Sequence, residues 1–191
     1  MSLEDKELTY FDRNAPTHEI VPVENGFLAV SDDALLSLDL SSNSVTQIST
    51  RFNPPDYEKK VYLVQLKDKS IIMVHRVLIN ENGKSVTKSF KLYQLTAEKN
   101  WTRKRSLGDE TLFVGGNSSI SVTASDIEGC KPDSIYFVRD GEGSFGTRAW
   151  RYDHGVYDVY MGTISQFPIS DSNLMKKTRQ PPIWVSPTFQ L

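Results

Sequence analysis

Residues 92–104, LYQLTAEKNWTRK, carry the pattern on which the fold turns. A strand of alternating character ends in the polar stretch Thr96-Ala-Glu-Lys-Asn100, and a second short strand starts at Trp101, which together describe a β-hairpin. The same order of strand, short turn and strand recurs at 36–48, LSLDLSSNSVTQI, and at 156–167, VYDVYMGTISQF. Leu38 and Tyr93 are 55 positions apart, and Tyr93 and Tyr157 are 64. That spacing suits a β-propeller, whose four-stranded blades take about 40 to 50 residues or a little more. Each hairpin is read as the outer hairpin of one of three successive blades.

Outward from these hairpins, alternation at period two dominates from Ile20 to Phe167, and no sustained helical stripe with capping signals interrupts it. The expected class is all-β. Strands are expected at 27–30, 35–40, 45–48, 61–66, 71–79, 86–95, 101–107, 112–114, 120–123, 134–138, 155–160 and 163–167. Between them lie turn residues such as Asp32-Asp, Ser42-Asn, Lys67-Asp-Lys, Asn82-Gly, Gly115-Gly-Asn and Met161-Gly, which tolerate positive φ or bond their own backbone. A β-sandwich is the alternative for so many short strands. A length of 191 residues holds about three antiparallel blades, whereas closed propellers have about four to eight. A partial propeller is therefore expected, and an open ring leaves strand edges unpaired.

The chain is long enough for one domain with a core of its own. Its 22 basic and 24 acidic residues give a net charge of -2, which offers no broad cationic field for nucleic acid. The single cysteine, Cys130, cannot form an internal disulfide, and a reducing compartment follows. The N-terminal MSLEDKELTYFD is polar and acidic, and no apolar run approaches membrane length. Cytoplasmic or nuclear residence is expected, with no membrane partner.

Catalytic chemistry finds little footing. Residues 141–146, GEGSFG, match the G-x-G-x-x-G spelling, but the segment behind them reaches another turn and strand instead of opening a helix onto a pyrophosphate. His18, His75 and His154 lie far apart and lack metal-ligand spacing. No G-x-S-x-G elbow is present. The expectation is a protein that is not an enzyme and takes no cofactor.

Residues 106–137, SLGDETLFVGGNSSISVTASDIEGCKPDSIYF, together with Gly155-Val-Tyr-Asp and Pro181-Pro-Ile-Trp, resemble the plant F-box-associated β-propeller family of the KIB type. Gly108, Asp109, Phe113, Gly115, Ser121, Gly129, Cys130, Pro132, Tyr136, Phe137, Gly155, Pro181, Pro182 and Trp184 are the positions that carry the resemblance. Their chemistry reads as structural: glycines for turns or close approach, aromatics to fill the space between blades, prolines at an exposed lead-in to an edge strand. Cys130 is read as a small buried hydrophobe.

The resemblance implies a C-terminal part of the family's propeller, with residues 1–16 as a flexible segment, 17–191 as the incomplete propeller domain, and no F-box. Relatives of this kind look like client-binding arms of cullin-type ubiquitin ligases, docking on a Skp-type adaptor through an F-box. The implied function is protein recognition; the alternatives are a truncated remnant or dominant-interfering form, and then a small-molecule-binding propeller or enzyme. Because binding surfaces favour loops and Arg or aromatic anchors, Arg139, Phe145, Arg148 and Trp150 form the first candidate group for an unknown protein client. Arg51, Phe52 and Tyr57 form the second.

Overall fold

A computed structural model describes residues 17–31, 34–50, 59–82, 84–116, 119–138, 153–166 and Trp184. Among these there is no α-helix, and thirteen strands form three sheets in sequence order. The first sheet is the meander β1 (Thr17–Val23), β2 (Gly26–Ser31), β3 (Ala34–Asp39) and β4 (Ser44–Thr50). The second is the meander β5 (Lys59–Gln65), β6 (Ile71–Glu81), β7 (Lys84–Leu95) and β8 (Trp101–Lys104). The third contains β9 (Glu110–Val114), β10 (Ile120–Thr123), β11 (Ser134–Phe137), β12 (Gly155–Asp158) and β13 (Thr163–Ser165), in the spatial order β10-β9-β11-β12-β13.

The three recurring hairpins are β3–β4, β7–β8 and β12–β13, the last two strands of each sheet. At the opposite edge, β1 and β10 both lie against β5. The edge strands thus gather while the hairpins fan outward, the arrangement of propeller blades around an axis.

Side-chain alternation explains why the sheets stack face to face. In the second sheet, Tyr62, Val64, Ile72, Val74, Phe90 and Leu92 point to the third sheet, where they meet Leu112, Val114, Ile135, Phe137 and Tyr157. The intervening residues Val61, Leu63, Ile71 and Met73 point the other way, to Val21, Leu28, Val30 and Leu35 of the first sheet. The middle blade is buried on both faces, so 61–64 and 71–76 are buried without interruption. Each large aliphatic or aromatic side chain so enclosed contributes about 1.5–3 kcal/mol of transfer free energy. Phe90 sits at the centre of one layer, with ring centroids 5.2 Å from Phe137 and 5.3 Å from Tyr157, within the tilted-ring range aromatic pairs prefer.

The strands begin and end close to their expected limits, with two differences. β1 was not among the expected strands; Pro22 within it lowers the strand signal, and an edge position accommodates a residue that cannot donate. The run expected at 101–107 ends as a strand at Lys104, after which Leu107 turns into the core between the second and third sheets.

The third sheet is the irregular blade. β9 and β11 pair in parallel, Leu112 opposite Ile135, whereas every other pair is antiparallel. The chain returns from β10 through the 3-10 turn Ala124–Asp126 to begin β11 alongside the start of β9. That crossover is tied down by Ala124 N–H donating to Asp109 C=O at 2.7 Å and Asp133 N–H to Glu110 C=O at 3.1 Å. The Asp133 carboxylate accepts from Leu107 N–H at 2.6 Å.

Candidate interaction surface

Arg76 lies inside the apolar run of β6 and is 1% exposed. A buried guanidinium must place its five N–H donors or lose the solvation of a full charge. Here Nε donates to Thr87 Oγ1 at 2.7 Å, Nη1 to Tyr62 Oη at 3.1 Å and to Val138 C=O at 2.9 Å. Nη2 donates to Asp153 Oδ2 at 2.9 Å and to Asp153 C=O at 3.4 Å. The Asp153 carboxylate also accepts from Thr87 N–H at 3.0 Å and Thr87 Oγ1 at 2.9 Å. The guanidinium carbon lies 4.9 Å from the centre of the Phe137 ring, which adds a cation–π contact to the ion pair.

This network ties the second blade to both ends of the 139–152 segment. Val138 precedes that segment and Asp153 follows it, and one side chain holds the two. Lys60, which pairs with Arg76 across β5 and β6, lies just past the 51–58 segment. Lys60, after the 51–58 segment, therefore lies at the same end of the second sheet as Val138 and Asp153. The candidates themselves, Arg139, Phe145, Arg148 and Trp150 and also Arg51, Phe52 and Tyr57, lie outside the described residues, as do Pro181 and Pro182.

The structure places most of the residues that carry the family resemblance in the third sheet and its turns. Phe113 stacks on Tyr136 at 4.8 Å and receives the edge of Trp184 at 4.9 Å. Trp184 Nε1 donates to Val114 C=O at 2.8 Å. Ser121 Oγ donates to Gln65 C=O at 2.7 Å and bridges the second and third sheets. The Asp109 carboxylate accepts from Ser125 Oγ at 2.6 Å, and Pro132 C=O accepts from Ser134 Oγ at 3.0 Å. Tyr136 Oη accepts from Lys131 N–H at 3.3 Å, and burial raises its pKa above the ordinary value. Phe137 is buried between the second and third sheets. Gly115 packs near Trp184; at Gly155 an added Cβ would come within 2.7 Å of Ser165 C=O. Gly108 and Gly129 adopt φ of 66° and 80°. Cys130 is half-buried with a free thiol.

The far end of the sheets has a different character. A groove of about 390 Å³ opens between the second and third blades, lined by Gln65, Leu66, Lys67, Glu110, Ser121 and their neighbours. Lys67 Nζ bridges Asp126 at 3.3 Å and Thr123 Oγ1 at 3.2 Å, while Lys69 Nζ meets Glu24 at 2.6 Å. These pairs are solvent-exposed, and such pairs contribute little to stability. Among the described residues no group of three or more His, Cys, Asp or Glu could hold a metal ion, and no helix is long and apolar enough to cross a membrane.

Arg76, Tyr62, Thr87 and Asp153 had not been singled out from the sequence. An arginine inside the apolar run 71–79 is the one local signal; its partner lies 77 residues away, where no spacing rule reaches.

Comparison with known proteins fits this architecture. A family model described as the KIB1-4 beta-propeller matches residues 4–158. Among similar proteins of Arabidopsis thaliana, the one named "Putative F-box protein At3g25750" is 34% identical over 110 residues, covering 54% of this chain and 30% of that protein. "Putative F-box protein At5g66830" is 28% identical over 153 residues, covering 78% of this chain and 38% of the relative. "F-box protein At2g26160" is 43% identical over 53 residues, 27% of this chain and 16% of the relative. The chain thus spans well under half the length of these relatives. No solved structure matches it.

Proposed function

Since this chain belongs to the KIB1-4 β-propeller family, we propose that it is a non-enzymatic protein-recognition module, the client-binding part of a plant F-box type of protein. The observation that supports this reading is the Arg76 junction. It joins both ends of the 139–152 segment, which is rich in arginine and aromatic residues, and Lys60, next to the 51–58 segment, pairs with Arg76 across β5 and β6. Binding surfaces work when mobile or variable loops stand on a fixed scaffold, and Arg, Tyr, Trp and Phe supply most interface energy. Client contact is assigned to Arg139, Phe145, Arg148 and Trp150, with Arg51, Phe52 and Tyr57 beside them.

In relatives named as F-box proteins, the propeller would present its client to a Skp-type adaptor and its cullin ligase. For the 191-residue chain alone, direct association with a Skp-type adaptor is not expected. Cytoplasmic or nuclear residence accords with that role.

Affinity purification from plant extract, read by mass spectrometry, tests the assignment with two variants. Phe145→Ala/Arg148→Ala/Trp150→Ala is expected to lose the clients that the wild type retains. Lys67→Ala/Asp126→Ala, at the opposite end, is expected to keep them. An unchanged client set in the triple variant would overturn the proposal.

A further inference from the structure

The outward side of the third sheet carries a seat that is already filled. Leu112, Val114, Ile135 and Phe137 point toward the second sheet, so alternation turns Phe113 and Tyr136 the other way. Their rings stack, with centroids 4.8 Å apart and planes 17° from parallel. The Trp184 indole stands against Phe113 at 4.9 Å and 69°, the near-perpendicular arrangement that ring quadrupoles favour.

Two features of this seat select an indole. Val114 C=O, at the end of the β9–β11 pairing, accepts from Val138 N–H at 3.3 Å and from Trp184 Nε1 at 2.8 Å. A backbone carbonyl has two lone pairs, and the indole N–H takes the one that Val138 leaves; a phenyl ring has no donor to offer it. The second feature is Gly115. A Cβ there would lie 3.2 Å from Trp184 Cδ1 and Nε1 and 3.0 Å from Val138 Cγ2. Gly115 is not among the glycines of positive φ, so what it supplies is space for the ring, not a special backbone conformation.

The seat lies at the surface. Trp184, Phe113 and Tyr136 are half-buried, whereas the core aromatics Tyr62 and Phe137 are 0% and 1% exposed. Trp184 also reaches its acceptor from 70 residues further along the chain. An apolar ring contact combined with one directed polar bond, at a half-wet site, is how indole side chains are recognised at interfaces.

We propose that Phe113, Val114 C=O, Gly115 and Tyr136 form a docking site for an indole side chain, which Trp184 of this chain occupies as an intramolecular ligand. Calorimetric titration of the 191-residue chain with a capped synthetic peptide of residues 181–187, PPIWVSP, tests it. Trp184→Ala, with the seat vacated, is expected to bind the peptide. The wild type, whose own Trp184 competes, is expected to bind it about tenfold more weakly or worse, a difference of roughly 1.4 kcal/mol. The peptide carrying Trp184→Phe, which lacks the N–H donor, is expected to bind the Trp184→Ala chain about tenfold more weakly than the native peptide. Cooperative urea unfolding establishes that the variant is folded. If Trp184→Ala does not fold, Trp184→Phe, which keeps a ring without the donor, takes its place in the titration. No binding by the folded variant, equal binding by the wild type, or equal binding of the two peptides overturns the proposal. So does loss of the fold in both variants, which would make Trp184 a core residue and not a docked side chain.

Discussion

Arg76 and Asp153 form an ion pair 2.9 Å long across the junction of the second and third blades, with side chains 2% and 11% exposed. Removing one partner of a buried pair leaves an uncompensated charge and costs about 3–5 kcal/mol. Asp153→Ala is predicted to lower unfolding stability by about that amount, measured in urea. Asp153→Asn, which keeps the shape and part of the hydrogen bonding, is predicted to lose less. Equal losses in the two variants would mean that the lost charge alone, and neither packing nor the retained hydrogen bonds, sets the cost at the junction.

Gly26 sits at the entrance to β2 with φ of 153°, and a Cβ there would lie 1.9 Å from Leu38 C=O. The β2–β3 register must open to admit any side chain. Gly26→Ala is predicted to cost on the order of 3 kcal/mol, combining backbone strain with overpacking. A thermal melt within a degree of the wild type would refute this.

Lys99 holds φ of 61° in the β7–β8 turn, where Thr96 N–H donates to Asn100 C=O at 2.8 Å and Lys99 N–H to Thr96 C=O at 2.9 Å. A side chain in the left-handed region is strained by its Cβ, by roughly 1–2 kcal/mol. Lys99→Gly relieves that strain and pays some of it back in unfolded-state entropy. A net gain of about 0.5–1 kcal/mol is predicted, to be read as a rise in the urea midpoint at constant m-value.

Burial holds the His154 imidazole below its ordinary value of 6.5, although Asp153 beside it pulls the other way. The unfolded chain then binds a proton that the native state refuses, so stability falls as pH drops through 6.5 toward the lowered native value and levels off above 6.5. The carboxylates held low, Glu24, Asp39, Asp68 and Glu98, lose their contribution only at more acid pH. Urea midpoints at pH 5.5 and 7.5 are predicted to differ more in the wild type than in His154→Gln.

Twelve of the thirteen described strands, their turns and the repeating outer hairpin were legible in the amino-acid sequence alone. These are local: alternation sets which side of a strand is apolar, and residues such as Asn43 and Asn82, at φ of 50° and 52°, accept the left-handed turns. The β3–β4, β7–β8 and β12–β13 hairpins could be read because each closes within a dozen or so residues. Tertiary structure alone decided the parallel pairing of β9 with β11, the covering of the third sheet by Trp184 and the partnership of Arg76 with Asp153. Strand patterning gives a side chain's face but not its neighbour, and a buried charge finds its counter-charge only after two blades have stacked. For the same reason alternation does not say which side of the first sheet is buried; the stacking of the described sheets decided that, covering Val21 and Leu28 and leaving Ile20 and Phe27 exposed.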